Sequence, residues 1–425
     1  MKENIDIWRD ENGIPHVEAD NLRDLYWGQG YVHGIDRGLQ LLLMRILGQG
    51  RVCELLDDSD ASLAVDIFFR KMNWGGHVIN AAQDLPEDTQ KLVASYAQGV
   101  SSALAQKVPW ELKLLGYKPE PWRIEDVITL SRMVGYLTLS QSQAEIERLL
   151  MEIIQADVSM EHLEELFPEH LGDLDMDLLK KVSLQERVVP SDVLWQTAAP
   201  RMMASNNWVI SGAKTSSGKP ILSNDPHLEV NRLPNIWCET VLKIKDRFAI
   251  GATMPGFPGI LTGRTKNVAW GTTYAFIDAI DSWVEKCKDG NYYREVNDQW
   301  IPFSQRRETI LRKKNPSHRM VFFENDHGVL DGDPETEGYY LTTRWSADRS
   351  GAVSMDRILH MWHVDTVQEA MDTLGRQEGA WSFVFADTRG DIGFQMSGLA
   401  PKRREGVSVS YLCRAGIRPM TGKDL

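Results

Sequence analysis

The run Ala204-Ser205-Asn206-Asn207-Trp208-Val209-Ile210 sets a small residue before a serine, with a polar pair and an apolar stretch behind it. These residue types suit a chain that cuts itself. The serine hydroxyl attacks the carbonyl of the preceding residue, the resulting ester is hydrolysed, and Ser205 becomes a new chain terminus. Its freed α-amine, with an ordinary pKa of about 7.7–8.0, then serves as base for its own hydroxyl, so no Ser-His-Asp triad is required. A bare Ala-Ser-Asn is far more often an ordinary turn or surface segment. Its surroundings therefore carry the argument.

Those surroundings hold a series of ordered motifs. The N-terminal region carries Arg9-Asp10-Glu11-Asn12-Gly13-Ile14-Pro15-His16-Val17, then Gly28-Gln29-Gly30-Tyr31-Val32-His33 and Asp36-Arg37. Asn224-Asp225-Pro226-His227 follows the serine, and further on come Pro255-Gly256-Phe257-Pro258-Gly259, Ala269-Trp270-Gly271-Thr272-Thr273 and Asp387 to Gly393. In this order they resemble the penicillin acylase (penicillin amidase) family of N-terminal nucleophile hydrolases over nearly the whole chain. The resemblance implies an amide hydrolase working through an acyl-Ser205 ester, with α and β subunits derived from one precursor cut at Ala204-Ser205. Its substrate is a small linear amide joining an apolar acyl group to a polar amine. N-acyl-homoserine lactone acylases share the scaffold and form the alternative enzymatic reading. A truncated, non-catalytic fragment, or one half of a split enzyme, is the alternative from a different class.

The resemblance also assigns residues. His227 falls where the family has His or Gln, and is expected to orient the serine or its amine. A lone histidine is otherwise more often a structural residue. The backbone N–H of Tyr274 supplies one oxyanion donor. The family's second donor, an asparagine in an Asn-Pro segment, lies further past the nucleophile than the 221 residues running from Ser205 to Leu425. Asn315-Pro316 matches it only superficially. Leu139 and Leu228 are expected to line the acyl pocket. Asp278-Ala279-Ile280-Asp281 resembles a calcium loop, with Asp278, Asp281 and the Ile280 carbonyl joined by Glu145 and the Pro401 main chain, a donor set suited to a hard cation. The bland reading of this loop is a solvated acidic turn.

Such residues need elements to hold them. Ile5 and Ile7 alternate before the turn residues Asp10-Glu11-Asn12-Gly13, with Ile14 and Val17 after them, predicting a hairpin. Asn21 is placed to cap a helix through Leu22–Leu25, another follows around Leu39–Leu47, and Pro86 opens a third through Leu92, Val93, Tyr96 and Val100. Helical spacing returns at Ile124 to Leu137 and Leu149 to Ile154. From about residue 206 short β-rich runs alternate with turns, among them Thr240–Ile244, Phe248–Thr253, Val268–Thr273, Ser282–Cys287 and Tyr339–Trp345. This predicts an α+β class, which the resemblance sharpens to a four-layer αββα sandwich with a largely helical N-terminal region. The expected divisions are an α-subunit-like region over residues 1–181, a spacer over 182–204 and a strand-rich β-subunit-like region over 205–425.

Composition excludes more than it selects. At 42% hydrophobic and 25% charged the chain is ordinarily globular, and a net charge of −13 speaks against a nucleic-acid surface. No run reaches the ~18 apolar residues of a membrane span. The N-terminus shows no apolar leader, which reads as cytoplasmic, although family members are often exported. Cys53, Cys238, Cys287 and Cys413 form no Cys-x-x-Cys pair. Ser211-Gly212-Ala213-Lys214 fits Ser-x-x-Lys but lacks the partner motifs of β-lactamases.

Overall fold

A computed structural model describes residues 4–168, 171, 174–184, 204–227, 235–402 and 413–414. Two large sheets and a short ribbon are joined by a mainly helical N-terminal region. The expected hairpin is β1 (Ile5–Arg9) with β2 (Pro15–Ala19). Helix α1 (Leu22–Gly48) begins at Asn21, whose side chain accepts the Asp24 N–H, as a cap should. It runs on to Gly48, with Arg37 out of helical geometry at a kink. The two helices expected at Leu22 and Leu39 are thus halves of one.

Against α1 packs α2 (Glu87–Gln106). Glycine makes the crossing possible. A methyl group on Gly30 would sit 2.1 Å from Tyr96 O, and one on Gly99 2.0 Å from Trp27 O. Further on lie α3 (Ile124–Val134), a π-helical turn over Gly135–Ser140, and α4 (Gln141–Gln155).

After the serine the chain forms a ribbon of β3 (Ala204–Ile210) and β4 (Ile221–His227). Next come β5 (Cys238–Ile244), β6 (Arg247–Thr253), β7 (Thr262–Thr265) and β8 (Val268–Tyr274). With β16 (Trp381–Asp387) and β17 (Ile392–Met396) they build the first sheet, in the order β1-β2-β5-β6-β7-β8-β16-β17. All its pairings are antiparallel except β2 with β5. The N-terminal hairpin therefore joins a sheet otherwise made from residues beyond the serine.

The second sheet consists of β9 (Ile280–Lys288), β10 (Asn291–Arg294), β11 (Gln299–Pro302), β12 (Ser304–Ile310), β13 (His318–Asn325), β14 (Gly328–Asp331) and β15 (Gly338–Trp345), with β9 and β15 at its centre and the short strand Cys413–Arg414 pairing parallel to β9. Helices α5 (Ala352–His360) and α6 (Val367–Leu374) connect it back to β16.

One large core spans both halves, from Leu25, Leu41 and Tyr96 to Trp270, Met355 and Phe385. The motifs noted in the sequence turn out to hold each other. Gln29, fully buried, accepts the Gly259 N–H and donates to the Gly259 carbonyl, each at 2.9 Å. The Tyr96 hydroxyl accepts the Gly256 N–H at 2.9 Å and lies 2.7 Å from His33 Nδ1. Burial, with the Arg37 charge nearby, drops the His33 pKa to about 3, so the ring is neutral where it meets the tyrosine hydroxyl. The Gly28–His33 and Pro255–Gly259 segments are thus two sides of one brace. Among the described residues no helix is long and apolar enough to cross a membrane.

Candidate functional site

Ser205 lies in β3, opposite Pro226 of β4. Opposed residues share a face of a ribbon, so Ser205, Asn207 and Val209 point one way with Asn224 and Leu222. Asn206, Trp208 and Ile210 point the other way, with Asp225 and His227. The Ser205 face is half-buried, and the other is exposed at Asn206, Trp208, Asp225 and His227. The buried Ser205 hydroxyl and both amide atoms of Asn207 have no hydrogen-bond partner among the described residues. Buried polar atoms are rarely left so.

The inward face rests on β8. A methyl group on Gly271 would lie 2.4 Å from Asn207 Oδ1 and 2.8 Å from Asn224 Cβ, so only glycine admits the ribbon at this height. Asn224 then ties the ribbon down. Its Nδ2 donates to Thr272 O at 2.8 Å, while its Oδ1 accepts the Thr272 N–H at 3.3 Å and the Thr262 hydroxyl at 2.7 Å. β7 pairs with β8 only at Ala269 and Trp270, and beyond that point the Asn224 amide occupies a ladder position as a strand's peptide group would.

His227 lies on the outward face. Its Nε2 is 2.8 Å from Asp225 Oδ2, and both side chains are exposed. In the continuous chain, where the Ser205 nitrogen is still an amide, the two candidate side chains therefore share a ribbon but not a face. Tyr274 ends β8, opposite Trp381 and three residues past Gly271, with its ring stacked on Phe276 at 5.8 Å. Leu228 lies outside the described residues, as does the side chain of Leu139, whose backbone belongs to the π-helical turn. Asn315 is committed to Asp58, through its N–H at 2.9 Å and its amide nitrogen at 3.0 Å.

An apolar cavity of about 50 Å³ is lined by Gly135, Ile260, Trp270, Trp345, Trp381 and Phe383, among others. Trp270 and Phe383 point away from the face that the ribbon covers, because Gly271 and its ladder partner Val384 are the residues beneath it. The cavity therefore lies on the helix side of the sheet. It is well below the ~150 Å³ of a cavity that takes up benzene.

The expected metal ligands are only partly brought together. Gln143 of α4 clamps the loop: its Oε1 accepts the Ala279 and Ile280 N–H groups at 2.8 and 3.2 Å, and its Nε2 donates to the Ile280 carbonyl at 2.9 Å. That carbonyl is thus already engaged. Ser346 links the loop to the segment before Pro401, donating its N–H to Ala279 O and its hydroxyl to Leu399 O. Glu145 points to solvent, while Glu147, 5% exposed, faces the loop. Burial, opposed by a hydrogen bond to Ser282 and reinforced by the Asp278 and Asp281 charges, pushes the Glu147 pKa up to about 8. Its Oε2 is buried without a hydrogen-bond partner. Among the described residues no three acidic, histidine or cysteine side chains converge tightly enough to ligate a metal. The carboxylate that faces this loop is Glu147 rather than Glu145.

Gln143 and Glu147 do not stand out in the sequence, and Asn207 and Asn224 do so only as members of motifs, with no role of their own. A signal for Glu147 exists. Ala144, Glu147, Leu150, Met151 and Ile154 form the buried stripe of α4, and Glu145 falls off that stripe.

Residues 4–424 match the family described as Penicillin amidase. The chain is 28% identical to an acyl-homoserine lactone acylase, QuiP, of Pseudomonas aeruginosa, over all of this chain and 52% of that protein. It is also 28% identical to the penicillin acylase 2 proenzyme of Pseudomonas sp. (strain SE83), over 94% of this chain and 53% of that protein. A thermostable penicillin G acylase from Alcaligenes faecalis superposes with a TM-score of 0.43 and 19% identity, covering 50% of this chain and 38% of that one. The chain spans about half the length of the curated relatives it matches.

Proposed function

The chain belongs to the penicillin amidase family, and from that premise we propose that it is the nucleophile-bearing portion of an acylase that hydrolyses linear amides. The observation that carries this reading is the Ser205 hydroxyl, half-buried near the start of a strand, behind Ala204, with no partner among the described residues. Cleavage before Ser205 frees its amine, which takes the hydroxyl proton as the oxygen attacks the substrate carbonyl. The tetrahedral oxyanion is met by the Tyr274 N–H. The amine leaves, and water releases the acid from the acyl-Ser205 ester. His227 orients the new terminus once the Ala204 link is gone, and Leu139 and Leu228 contact the acyl group. The ribbon is the beginning of the third layer of an αββα sandwich.

Penicillin-type and acyl-homoserine lactone-type amides are both in scope. The second reading is favoured by the name of the Pseudomonas aeruginosa relative, which this chain matches over its whole length. The 425-residue form is expected to be weakly active or inactive, so the test is N-terminal sequencing and amide hydrolysis on a form extended through the family's second oxyanion donor, with Ser205→Ala as control. The expected outcome is a fragment starting at Ser205 and hydrolysis above background, both absent in the variant. A cut elsewhere, or equal hydrolysis in the variant, overturns the reading.

We further propose a structural calcium ion held by Asp278 and Asp281, with Glu147 in the role expected of Glu145. It joins α4 to the loop before β9, and so ties together segments from either side of the cut. A chelator should lower the melting temperature of the parent by mass action but leave Asp281→Ala and Glu147→Gln unchanged. An identical parent melting curve with and without chelator leaves only a solvated acidic turn.

A further inference from the structure

A short helix, Trp110–Leu114, carries apolar side chains outward from the helical region. Leu112 turns into the core at 1% exposure. Residues three and four apart share a helix face, so Trp110, Lys113 and Leu114 turn outward together. Trp110 is 67% exposed, Leu114 77% and the following Leu115 45%. Gly116 then takes a φ of +73°, and a methyl group added there would meet nothing within 4 Å, so the turn stands in open space. Single exposed apolar residues are ordinary, but a cluster at these exposures marks an interaction site.

The rim of this apolar knob is basic. Lys113 lies on it, Lys107 and Lys118 bracket it in sequence, and Glu111 is the only acidic residue between those two. The turn after β12 brings Lys313 and Lys314 to the same place. The Lys313 N–H donates to Cys53 O at 3.0 Å, and its Nζ donates to Leu115 O at 3.3 Å. All five lysines are exposed. The acids beside the turn are already engaged: Asp58 and Asp60 by Arg312, Asp57 by the Ser59 and Ser62 hydroxyls, and Glu120 by Arg51.

We propose that this knob docks on an anionic lipid surface, with Trp110, Leu114 and Leu115 in the headgroup region and the five lysines on the lipid phosphates. Two features favour lipid over a protein partner. Protein interfaces are depleted in Lys and enriched in Arg, whereas this rim is lysine throughout and Arg312 is committed to Asp58. Tryptophan prefers the boundary between water and hydrocarbon, and a projecting knob with flexible lysines suits a fluid surface that yields to it. The net charge of −13 does not oppose the contact, because salt confines the interaction to charges within about 8 Å of the headgroups. Acidic surface elsewhere is repelled, which fixes which side of the protein faces the lipid.

The test is co-sedimentation of the 425-residue chain with phosphatidylcholine vesicles, with and without phosphatidylglycerol, at low and high salt. Binding is expected to the anionic vesicles and should fall as salt rises. Lys113→Gln should weaken it about fivefold, and Leu114→Asp about tenfold or more. Ile79→Asp, at a site 61% exposed on a different helix, should bind as the parent does. All three positions are exposed, so circular dichroism suffices to check folding. No binding, equal binding to neutral vesicles, or binding indifferent to both knob variants overturns the proposal. Self-association in the ultracentrifuge that Leu114→Asp abolishes names a second copy as the occupant and equally overturns it. The extended form used to test hydrolysis should bind as well as the 425-residue chain. Loss of binding there makes the knob an internal contact of the longer chain, and the proposal falls.

Discussion

Two regions of this molecule bury polar groups on β-strands, and they treat them in opposite ways. In the second sheet Glu285, fully buried, is saturated. Arg294 donates to its Oε2 at 2.9 Å, and its Oε1 accepts from Asn325 and His327 at 2.7 Å each and from Thr342 at 3.3 Å. Trp283 stacks on His327 with ring centroids 4.6 Å apart, and Arg294 lies over Tyr292 at 4.2 Å. At the ribbon, Ser205 and Asn207 keep polar atoms with no partner among the described residues. A satisfied network stabilises a fold, whereas an unsatisfied hydroxyl beside the bond proposed to be cut is free for the proposed chemistry. The contrast separates a region of the chain that maintains structure from the region proposed to react.

The comparison can be broken most forcefully at Glu285. Glu285→Ala leaves Arg294 as a buried cation without its anion and His327 and Asn325 without their acceptor, and should cost about 3–5 kcal/mol of stability, measured by urea unfolding. Ser205→Ala, compared with the parent chain before any cut, should change the same midpoint negligibly. If the two variants unfold alike, the distinction fails. A smaller effect is expected at Gly271. The alanine methyl collides with Asn207 and with the Asn224 Cβ, and relief by shifting the ribbon should cost about 1–3 kcal/mol. Cleavage before Ser205 should slow at the same time, read on a gel over hours. Unchanged stability and cleavage would show the ribbon is not seated on β8 as described.

Acid gives the finest test. Burial alone would raise the Glu285 pKa, but the hydrogen bond and charge of His327, with Arg294 and Asn325, hold it below its ordinary 4.5. A carboxylate whose pKa is depressed by folding contributes stability that is fully present above the unfolded value and is lost as pH falls through the folded one. Unfolding free energy should therefore decline on acidification below about 4.5, by at most about 1.4 kcal/mol per pH unit for this group. Glu285→Gln should flatten that stretch of the profile, and an unaltered acid limb in the variant would assign it to other carboxylates.

Much of this is legible in the residues. The hairpin at Ile5, the cap at Asn21 and the helical-to-β change near Ser205 follow from local periodicity, which the structure keeps. What is not legible depends on partners distant in sequence. Trp208 and Ile210 are apolar yet face outward, while Ser205 and Asn207 face in, so hydrophobic alternation alone would turn β3 over. Only the Gly271 gap and the Asn224 amide decide the orientation, and both arrive from other strands. One helix reads as two in the sequence because Arg37 bends α1 without ending it. The apolar cavity under Trp270 and Phe383 lies on the helix side of the sheet, which neither strand's own sequence announces. Sidedness within a sheet is set by register, which a single strand's sequence does not contain.

The parallel pairing of β2 with β5, His16 to Val241 through Glu18 to Lys243, has a consequence for the life history of the molecule. A chain cut before Ser205 keeps that seam, so its pieces remain together without a covalent link. Folding of the uncut chain is a unimolecular search in which the tether supplies a high effective concentration. Once cut and then unfolded, the same two pieces must find each other by diffusion, at a rate that depends on dilution. The proposed self-cleavage would thus turn a reversible folding problem into one best solved a single time, with the lifetime of the cut form set by how slowly the seam opens.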